Sequence, residues 1–585
     1  MSTTGGAIIA EMLKREGVDR YFGIIDGTYT SLIVNMKEAG ARLFTPRHET
    51  TALHMAGSYA RLTGRLGVAI ASNGPGVANA LSGVAVENAE GNRVLLITSS
   101  RRTPVGYPDR GGAYQYFDQV GVIRGMSKWS VLVPSIERIP ELMRMALRKC
   151  WEGRPGVVHV DVPENIVNGD THEVAYLEPA AYRRSYPASP APEGLAQAAE
   201  ILQSARLPMI HAGSGVIHAL AFTELEELSH LLHAPVTTSW AARGVMPEND
   251  PLAWSMVHIK ANNSLRNAAD AVLCLGSRMG ETDWWGKPPY WAPPDKQKFI
   301  QVDLEENAIG RTRPVDLGIV ADVKIFLRQL IERLQSETTG GELSKMESRR
   351  REIEKLTEEK SKSRRELDKK LEDTGAPMVT GHVSRACRDN FADDAFAVFD
   401  GGNTAVWGNF YYEIKSPGTL LTTNHMGHLG AGPGQALGAA AAFPDRQVFC
   451  MIGDGAMGFH PQEIETAVRN KLKVIFLVCS DKQWGMVKLT QSVALKPVKT
   501  MIKKSLSPEE TVNTELGEIE WDKLAESMGA YGERVSDPAD LQPAITRCKE
   551  AETCAVIHVD VDPVKHMWAP GLMHFKSMHQ EPKGK

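Results

Sequence analysis

Short apolar runs constrain this chain more than any other feature, each the length of one β-strand and each followed by a helical stretch. Val68-Ala69-Ile70-Ala71, Val94-Leu95-Leu96-Ile97 and Val157-Val158-His159-Val160 carry the pattern through the first part. Met209-Ile210-His211, Val272-Leu273-Cys274-Leu275 and Phe299-Ile300-Gln301-Val302 continue it, and Val448–Ile452 and Val474–Val478 repeat it near the end. Strands apolar at nearly every position are buried on both faces, and strands joined by helices pair in parallel. The pattern predicts α/β domains built on parallel sheets. With 585 residues the chain is too long for one core, and about 150 residues per domain gives roughly three to four.

Breaks in the pattern divide it. The Pro-rich segment Tyr186 to Pro192 reads as a linker. The Glu-, Lys- and Arg-dense run 342–373 reads as a solvated connecting helix, with a partner-binding helix as the alternative. The expected organisation is an N-terminal domain at 1–185, a middle domain at 193–337, a charged helical linker at 338–375, a C-terminal domain at 376–565 and a tail at 566–585. An internal echo relates the two outer domains. Gly74-Pro75-Gly76 and Gly432-Pro433-Gly434 each open a helix of small residues, which suggests two related domains flanking a different, Rossmann-like one.

Composition narrows the function. A net charge of −5 argues against a nucleic-acid surface, and no apolar run reaches membrane-span length. Nothing at the N-terminus reads as a secretory signal, so the expected location is cytoplasmic. Seven cysteines without a CxxC pair argue against a disulfide framework or a structural zinc site.

The chemistry is concentrated at Gly453-Asp454-Gly455, directly after the strand Val448–Ile452. A parallel strand ending there puts a carboxylate at the carboxyl edge of its sheet, where open α/β sheets bind ligands. Glycines let a phosphate approach the backbone, and a carboxylate beside phosphate points to a bridging divalent cation. Asp481 follows 27 residues later, after one strand–helix–strand crossover, so the two carboxylates can share one cation.

These motifs resemble those of thiamine-diphosphate-dependent enzymes of the acetolactate synthase and pyruvate oxidase type, and the likeness covers nearly the whole chain. That family follows its GDG with Asn-Asn; this chain has Ser480-Asp481, a carboxylate for an amide. The resemblance implies thiamine diphosphate and Mg²⁺ as cofactors, with Asp454, Asp481 and the Gln483 carbonyl on the metal. Arg47-His48-Glu49 is similar to the first-domain signature whose Glu bonds the cofactor's aminopyrimidine ring, which makes Glu49 the expected catalytic carboxylate. Gly112-Ala113-Tyr114-Gln115 resembles a GAFQ segment whose Gln enters the active site. Gly402-Asn403-Thr404 lies where relatives bind diphosphate, beside Gly453, Gly455, Ala456 and Met457. Gly427-His428-Leu429-Gly430 stands in place of Gly-Thr-Met-Gly: the Gly427 carbonyl would hold the pyrimidine amine, and Leu429 would wedge the cofactor into its V shape. Gly485-Met486-Val487-Lys488 with Gln491, directly after Trp484, resembles GMVxQWQ, whose Trp is Thr490 here, and Trp484, Gly485 and Met486 are expected at the cofactor.

The departures lie at substrate-facing positions. His428 is a titratable group where Thr is usual, either acting on a substrate carbonyl or serving as a structural histidine. Asp26 is either a proton relay or a turn residue before Gly27. Glu281-Thr282-Asp283-Trp284-Trp285-Gly286 matches an FAD-contacting segment poorly, so FAD is a doubtful cofactor. Trp284-Trp285 reads as core or interface ahead of a stacking platform, and Gly213-Ser214-Gly215 as a tight turn ahead of a nucleotide loop.

The resemblance implies a C–C lyase or carboligase acting on a 2-oxo acid or similar donor, acetolactate synthase-like. The alternatives are a 2-hydroxyacyl-CoA lyase, an oxalyl-CoA decarboxylase-like or a sulfoacetaldehyde acetyltransferase-like enzyme. It also implies a homodimer or homotetramer with the active site between subunits. A reading from another class, an oxidoreductase holding NAD on Gly430-Ala431-Gly432-Pro433-Gly434, requires a strand directly before that loop.

Overall fold

The computed structural model describes residues 3–106, 109–172, 174–337 and 342–578. The first residues of the expected charged linker (338–341) and the end of the expected tail (579–585) lie outside the described residues.

Three six-stranded sheets, parallel throughout, form three α/β domains. In the N-terminal sheet the strands run, edge to edge, Arg42–Phe44, Arg20–Gly23, Gly67–Ala71, Val94–Ser100, Val157–Pro163, Trp129–Leu132. In the C-terminal sheet they run Leu420–Leu421, Phe396–Asp400, Val448–Gly453, Ile475–Ser480, Ala555–Asp560, Tyr531–Val535. Counted along the chain, both orders are 2-1-3-4-6-5. The middle sheet instead runs 3-2-1-4-5-6, the doubly wound dinucleotide order, with Pro208–Ala212 and Ala271–Leu275 at its centre. The two outer domains are therefore related and the middle one is not.

Central strands are buried at every position, as their apolar runs require: Val94–Ser100, Val157–Pro163 and Phe396–Asp400 have no exposed residue. Each fully buried Val, Leu or Ile there contributes about 1.5–3 kcal/mol against solvent exposure.

The echoed Gly-Pro-Gly sequences do not occupy equivalent places. Helix Pro75–Glu90 joins the third and fourth strands of its sheet, whereas helix Ala431–Ala442 joins the second and third. The counterpart of Ala431–Ala442 is Glu49–Thr63, and these two helices pack on each other across the domains. A Cβ on Gly434 would lie 2.6 Å from His54 Cβ, and one on Gly438 would lie 2.6 Å from the Met55 carbonyl oxygen. Ser58 Oγ donates to the Gln435 carbonyl at 2.8 Å. The glycines of this loop and helix are needed for close helix contact, and the nearest preceding strand is only Leu420–Leu421. The NAD reading fails on both counts.

Helix Glu342–Asp368 is less solvated than its charge predicts. Arg349 is buried and donates to the carbonyls of Leu232, Leu202 and Ala205, at the carboxyl ends of two middle-domain helices. Lys360 donates to the Ala253 carbonyl and Arg364 to that of Phe410. Cations meeting helix C-termini satisfy carbonyls that have no partner within their helix. The helix is thus a strap tying the middle domain to the C-terminal one.

Candidate active site

Both outer sheets present their functional residues at the carboxyl edge, because every strand in a parallel sheet ends on the same side. In the C-terminal domain four strand ends contribute. Phe396–Asp400 leads into Gly401-Gly402-Asn403, Leu420–Leu421 into the 427–430 loop, Val448–Gly453 into Asp454, and Ile475–Ser480 into Asp481.

Asp454 and Asp481 are both buried, at 7% and 8% exposure. Asp454 Oδ1 accepts from the Gly455 amide at 2.8 Å, and Oδ2 from the Lys482 amide at 2.8 Å and Ser480 Oγ at 3.2 Å. Asp481 Oδ2 accepts from Gln483 Nε2 at 3.2 Å. Burial raises the Asp454 carboxyl to about 6, helped by the neighbouring Asp481 charge, and burial raises Asp481 to about 7. Two carboxylates pushed up together want a cation between them. The Gln483 carbonyl accepts from the Gly485 amide at 2.9 Å and has a second lone pair.

Glycines shape the adjoining cradle. Gly401 sits at φ +90°, and a Cβ there would lie 3.1 Å from the Gly453 amide nitrogen. A Cβ on Gly485 would lie 2.8 Å from both Asn403 Nδ2 and Asp481 Oδ2. Asn403 is 4% exposed, yet neither its Oδ1 nor its Nδ2 has a hydrogen-bond partner. Buried amides are normally paired, so this one is set for a polar group the chain does not supply. Thr404 lies beside Gly453, Met486 beside Gly402, and the Trp484 ring beside Gly455. Ala456 and Met457 are buried in the short helix Asp454–Met457. A cleft of about 380 Å³ opens here, walled by Phe459, Trp484 and Trp521. Paired hard-oxygen donors, a glycine cradle and an unpartnered Asn fit a diphosphate bridged by a divalent cation.

The sequence missed two supports of this cluster. Asp400 accepts from the Gly401 amide at 2.5 Å and the Gly432 amide at 2.7 Å, fixing the loop ahead of helix Ala431–Ala442. His566 joins Thr380 Oγ1 at 2.6 Å on one ring nitrogen and lies 3.4 Å from Thr404 Oγ1 on the other. Neither sits in a recognisable motif; an Asp closing a strand before Gly-Gly is the one signal that could have exposed Asp400.

The N-terminal residues form a second half-site. Glu49 opens helix Glu49–Thr63, is 6% exposed, and accepts from Asn79 Nδ2 at 3.1 Å. A Cβ on Gly76 would lie 3.2 Å from Glu49 Oε1. Gln115 holds φ +55°, and its carbonyl accepts from Asn73 Nδ2 at 3.2 Å. Asp26 accepts from the Thr28 amide at 2.8 Å and Thr28 Oγ1 at 2.6 Å, which is its turn role. Tyr29 lies between this turn and Glu49: burial pushes its hydroxyl up, with the Asp26 and Glu49 carboxylates adding to the push.

Gly427, at φ +63°, and His428 lie on the loop before helix Ala431–Ala442, and Leu429 packs partly buried on the core beneath. His428 approaches the N-terminal domain, its ring 5.6 Å from that of His54.

A separate crevice of about 460 Å³ lies where the middle-domain strand order reverses, lined by Ser214, Ser277, Arg278 and Arg311 with the carboxylates Glu281, Asp303 and Asp322, and closed by Arg93 and Arg154 of the N-terminal domain. Gly215 and Gly276 meet backbone to backbone there, a Cβ on Gly215 falling 2.6 Å from Gly276 Cα. Trp284 is core, stacked on Tyr290 at 3.5 Å, while Trp285 lines the crevice. All seven cysteines are free and buried. Among the described residues no helix is long and apolar enough to cross a membrane.

Comparison with known proteins agrees with this geometry. Residues 3–122 match the family described as thiamine pyrophosphate enzyme, N-terminal TPP binding domain. Residues 195–330 match its central domain and 400–559 its C-terminal TPP binding domain. The acetolactate synthase isozyme 3 large subunit of Escherichia coli (strain K12) is 26% identical, over 97% of this chain and 96% of that protein. A probable acetolactate synthase of Mycobacterium bovis is 30% identical, over 95% and 96%. Human 2-hydroxyacyl-CoA lyase 1 is 28% identical, over 96% and 95%. Thiamine diphosphate is accordingly the cofactor, with Mg²⁺ its usual companion, and the reaction class is C–C bond formation or cleavage. The chain belongs to the thiamine pyrophosphate enzyme family.

Proposed function

We propose that the protein is a carboligase or lyase acting on a 2-oxo acid or a similar carbonyl donor, acetolactate synthase-like in its chemistry. The observation that supports it most is the buried Asp454–Asp481 pair beside the unpartnered Asn403. Asp454, Asp481 and the Gln483 carbonyl hold the cation; Gly402, Asn403, Thr404, Gly453, Gly455, Ala456 and Met457 receive the diphosphate. Gly427, Leu429, Trp484, Gly485 and Met486 would line the remainder of the cofactor, and the Glu49 carboxyl would hydrogen-bond its aminopyrimidine ring as the acid–base group. When bound, the cofactor supplies the electron sink for breaking or making a bond next to a carbonyl. Gln115 and His428 would face the substrate, and Asp26 would serve as a relay only through the carboxyl oxygen that does not cap the Thr28 turn. The assembly is a homodimer or homotetramer, with Glu49 of one subunit serving the diphosphate domain of another.

One observation favours a second reading. The crevice beside the middle domain, where five arginines converge among four carboxylates, suits the ADP part of an acyl-CoA, as in a 2-hydroxyacyl-CoA lyase or oxalyl-CoA decarboxylase, and FAD is the competing occupant. A sulfoacetaldehyde acetyltransferase-like enzyme would use the crevice for neither purpose.

Incubation with thiamine diphosphate, Mg²⁺ and a panel of 2-oxo acids, sulfoacetaldehyde and acyl-CoA thioesters, read by mass spectrometry, tests the proposal. Consumption of a 2-oxo acid supports it. Turnover confined to CoA thioesters, with CoA binding measured by calorimetry, replaces it with the second reading, and inactivity across the panel overturns both. An absorbance spectrum of the purified protein tests for flavin. Light scattering tests the assembly, which a fully active monomer would refute.

A further inference from the structure

Two buried titratable groups that the functional reading leaves unused, Glu87 and His54, meet His428 across the interface between the N-terminal and C-terminal domains. His54 is fully buried, and its Nδ1 lies 2.6 Å from Glu87 Oε1. The other carboxyl oxygen of Glu87 accepts from Asn92 Nδ2 at 2.6 Å. Gly57 makes room for this carboxyl: a Cβ there would fall 1.7 Å from Glu87 Oε2. On its far side His54 Nε2 has no partner. Facing it is His428, with rings 5.6 Å apart and tilted by 46°, and His428 Nε2 is likewise buried without a partner.

Two facing imidazoles that each leave a buried nitrogen unsatisfied are not explained by packing, since an apolar side chain would fill either place at lower cost. One small polar group bonded to both Nε2 atoms, a water or a substrate oxygen, would satisfy them together.

We propose that Glu87, His54 and His428 form a proton relay that supplies the substrate side of the active site. This rests on the carboligase or lyase reading, which places the 427–430 loop at the cofactor and requires a proton at the reacting carbonyl. The proton balance is closed. The Glu87 carboxyl gives its proton to His54 Nδ1 as His54 Nε2–H releases one through the bridging group to His428 Nε2. His428, now cationic, gives up its Nδ1 proton to the substrate and returns to neutral. Glu87 is left as carboxylate with both rings in the opposite tautomer, and the reverse shift resets them. Solvent protonates His428 Nδ1, His428 Nε2–H returns its proton through the bridging group to His54 Nε2, and His54 Nδ1–H returns its proton to Glu87. His428 is the catalytic residue of this set; Glu87 and His54 act through it. Burial favours this starting state, holding the Glu87 carboxyl up at about 8 and His54 down at about 3. The charged and titratable groups around the chain are Arg61 and His48 on the helix of His54, Glu90 beside Glu87, and His425 on the loop of His428. His460 from the C-terminal domain and His218 from the middle domain complete the set.

The test compares the parent holoenzyme with Glu87→Gln and His428→Gln, using the panel substrate that the parent turns over. Three readouts are needed: kcat against pH, hydrogen–deuterium exchange at C2 of bound thiamine diphosphate, and NMR titration of the labelled histidine rings without cofactor. The relay predicts that kcat falls at least tenfold in both variants and loses the parent's high-pH decline, while KM and C2 exchange stay within about twofold. His54 ring signals should move in E87Q, and imidazole should restore part of the activity of His428→Ala. Parent-like kcat and pH profile in E87Q and H428Q, with cofactor bound, overturn the relay and leave the functional reading standing. Loss of C2 exchange alongside kcat assigns the residues a structural role and also overturns it. A parent inactive across the panel overturns the functional reading and the relay together.

Discussion

The two outer domains share one strand order yet use the same sheet edge for opposite purposes. The C-terminal edge gathers acceptors and a glycine cradle: Asp454, Asp481, the Gln483 carbonyl and an unpartnered Asn403. The N-terminal edge instead offers Glu49, held by Asn79 and flanked by Gly76, with Asp26 committed to its own turn and Gln115 nearby on a left-handed backbone. Topology decides where a site can form, because parallel strands release their chains on one side. The residue that follows each strand decides what the site does. After the third strand the C-terminal domain has Gly453-Asp454-Gly455 and the N-terminal domain has Asn73-Gly74-Pro75. The middle domain reinforces the lesson: its different strand order opens a different crevice, which arginines of the N-terminal domain help to line.

The largest effect that separates the two edges is expected from Glu49→Gln. General acid–base groups contribute about 10²–10⁴-fold, so turnover should fall by at least about 100-fold while cofactor affinity stays near that of the parent. Steady-state kinetics with calorimetric titration of the cofactor checks it, and unchanged turnover would remove Glu49 from the chemistry. Asp454→Asn should show the reverse division, weakening Mg²⁺-dependent cofactor binding by about tenfold or more, since the variant loses one charge at the cation. Binding measured with and without chelator decides it.

Next in size is the contact that joins the two domains. Gly438→Ala drives a methyl toward the Met55 carbonyl oxygen, 2.6 Å from its Cβ, and should cost about 1–3 kcal/mol of stability, read by denaturant unfolding. A neutral result would show that the helix pair Glu49–Thr63 and Ala431–Ala442 can move apart freely.

The smallest effect is a pH slope. Asp481, held up to about 7, keeps a proton in the folded state that the unfolded chain, with its ordinary carboxyl, has released. The folded state therefore binds more protons between about pH 4 and 7, and stability from this group is present below that window and lost as pH rises through it. In cofactor-free protein, Asp481→Asn should flatten the fall in stability over this range by about 1–2 kcal/mol, taking about 1.4 kcal/mol per pKa unit as the ceiling and allowing for coupling to Asp454. Thermal unfolding across pH checks it, and an unchanged slope would mean that Asp481 is already ionised without a cation.

Much of this was legible in the sequence. The apolar runs located the central strands, and Asp454 and Asp481 could be paired because one crossover separates neighbouring parallel strands. The repeated Gly-Pro-Gly gave the right conclusion from the wrong equivalence, since both segments need glycine for packing but sit in different crossovers. Helix Glu342–Asp368 looked solvated because its charge is visible in sequence while the carbonyls it meets are not.

What the sequence by itself determined is whatever depends on neighbours along the chain: strand length, the turn after each strand, and the cofactor motifs. Only the tertiary structure decided the strand orders, the support of the 430 loop by Asp400, and the crevice between domains. It also decided the meeting of Glu87 and His54 with His428. Those features join residues tens to hundreds of positions apart, and chain connectivity places no limit on which such residues meet. Packing two helices closely enough for Gly434 to touch His54 fixes that choice: the small residues that permit it are visible in the sequence, but the helix they meet is not.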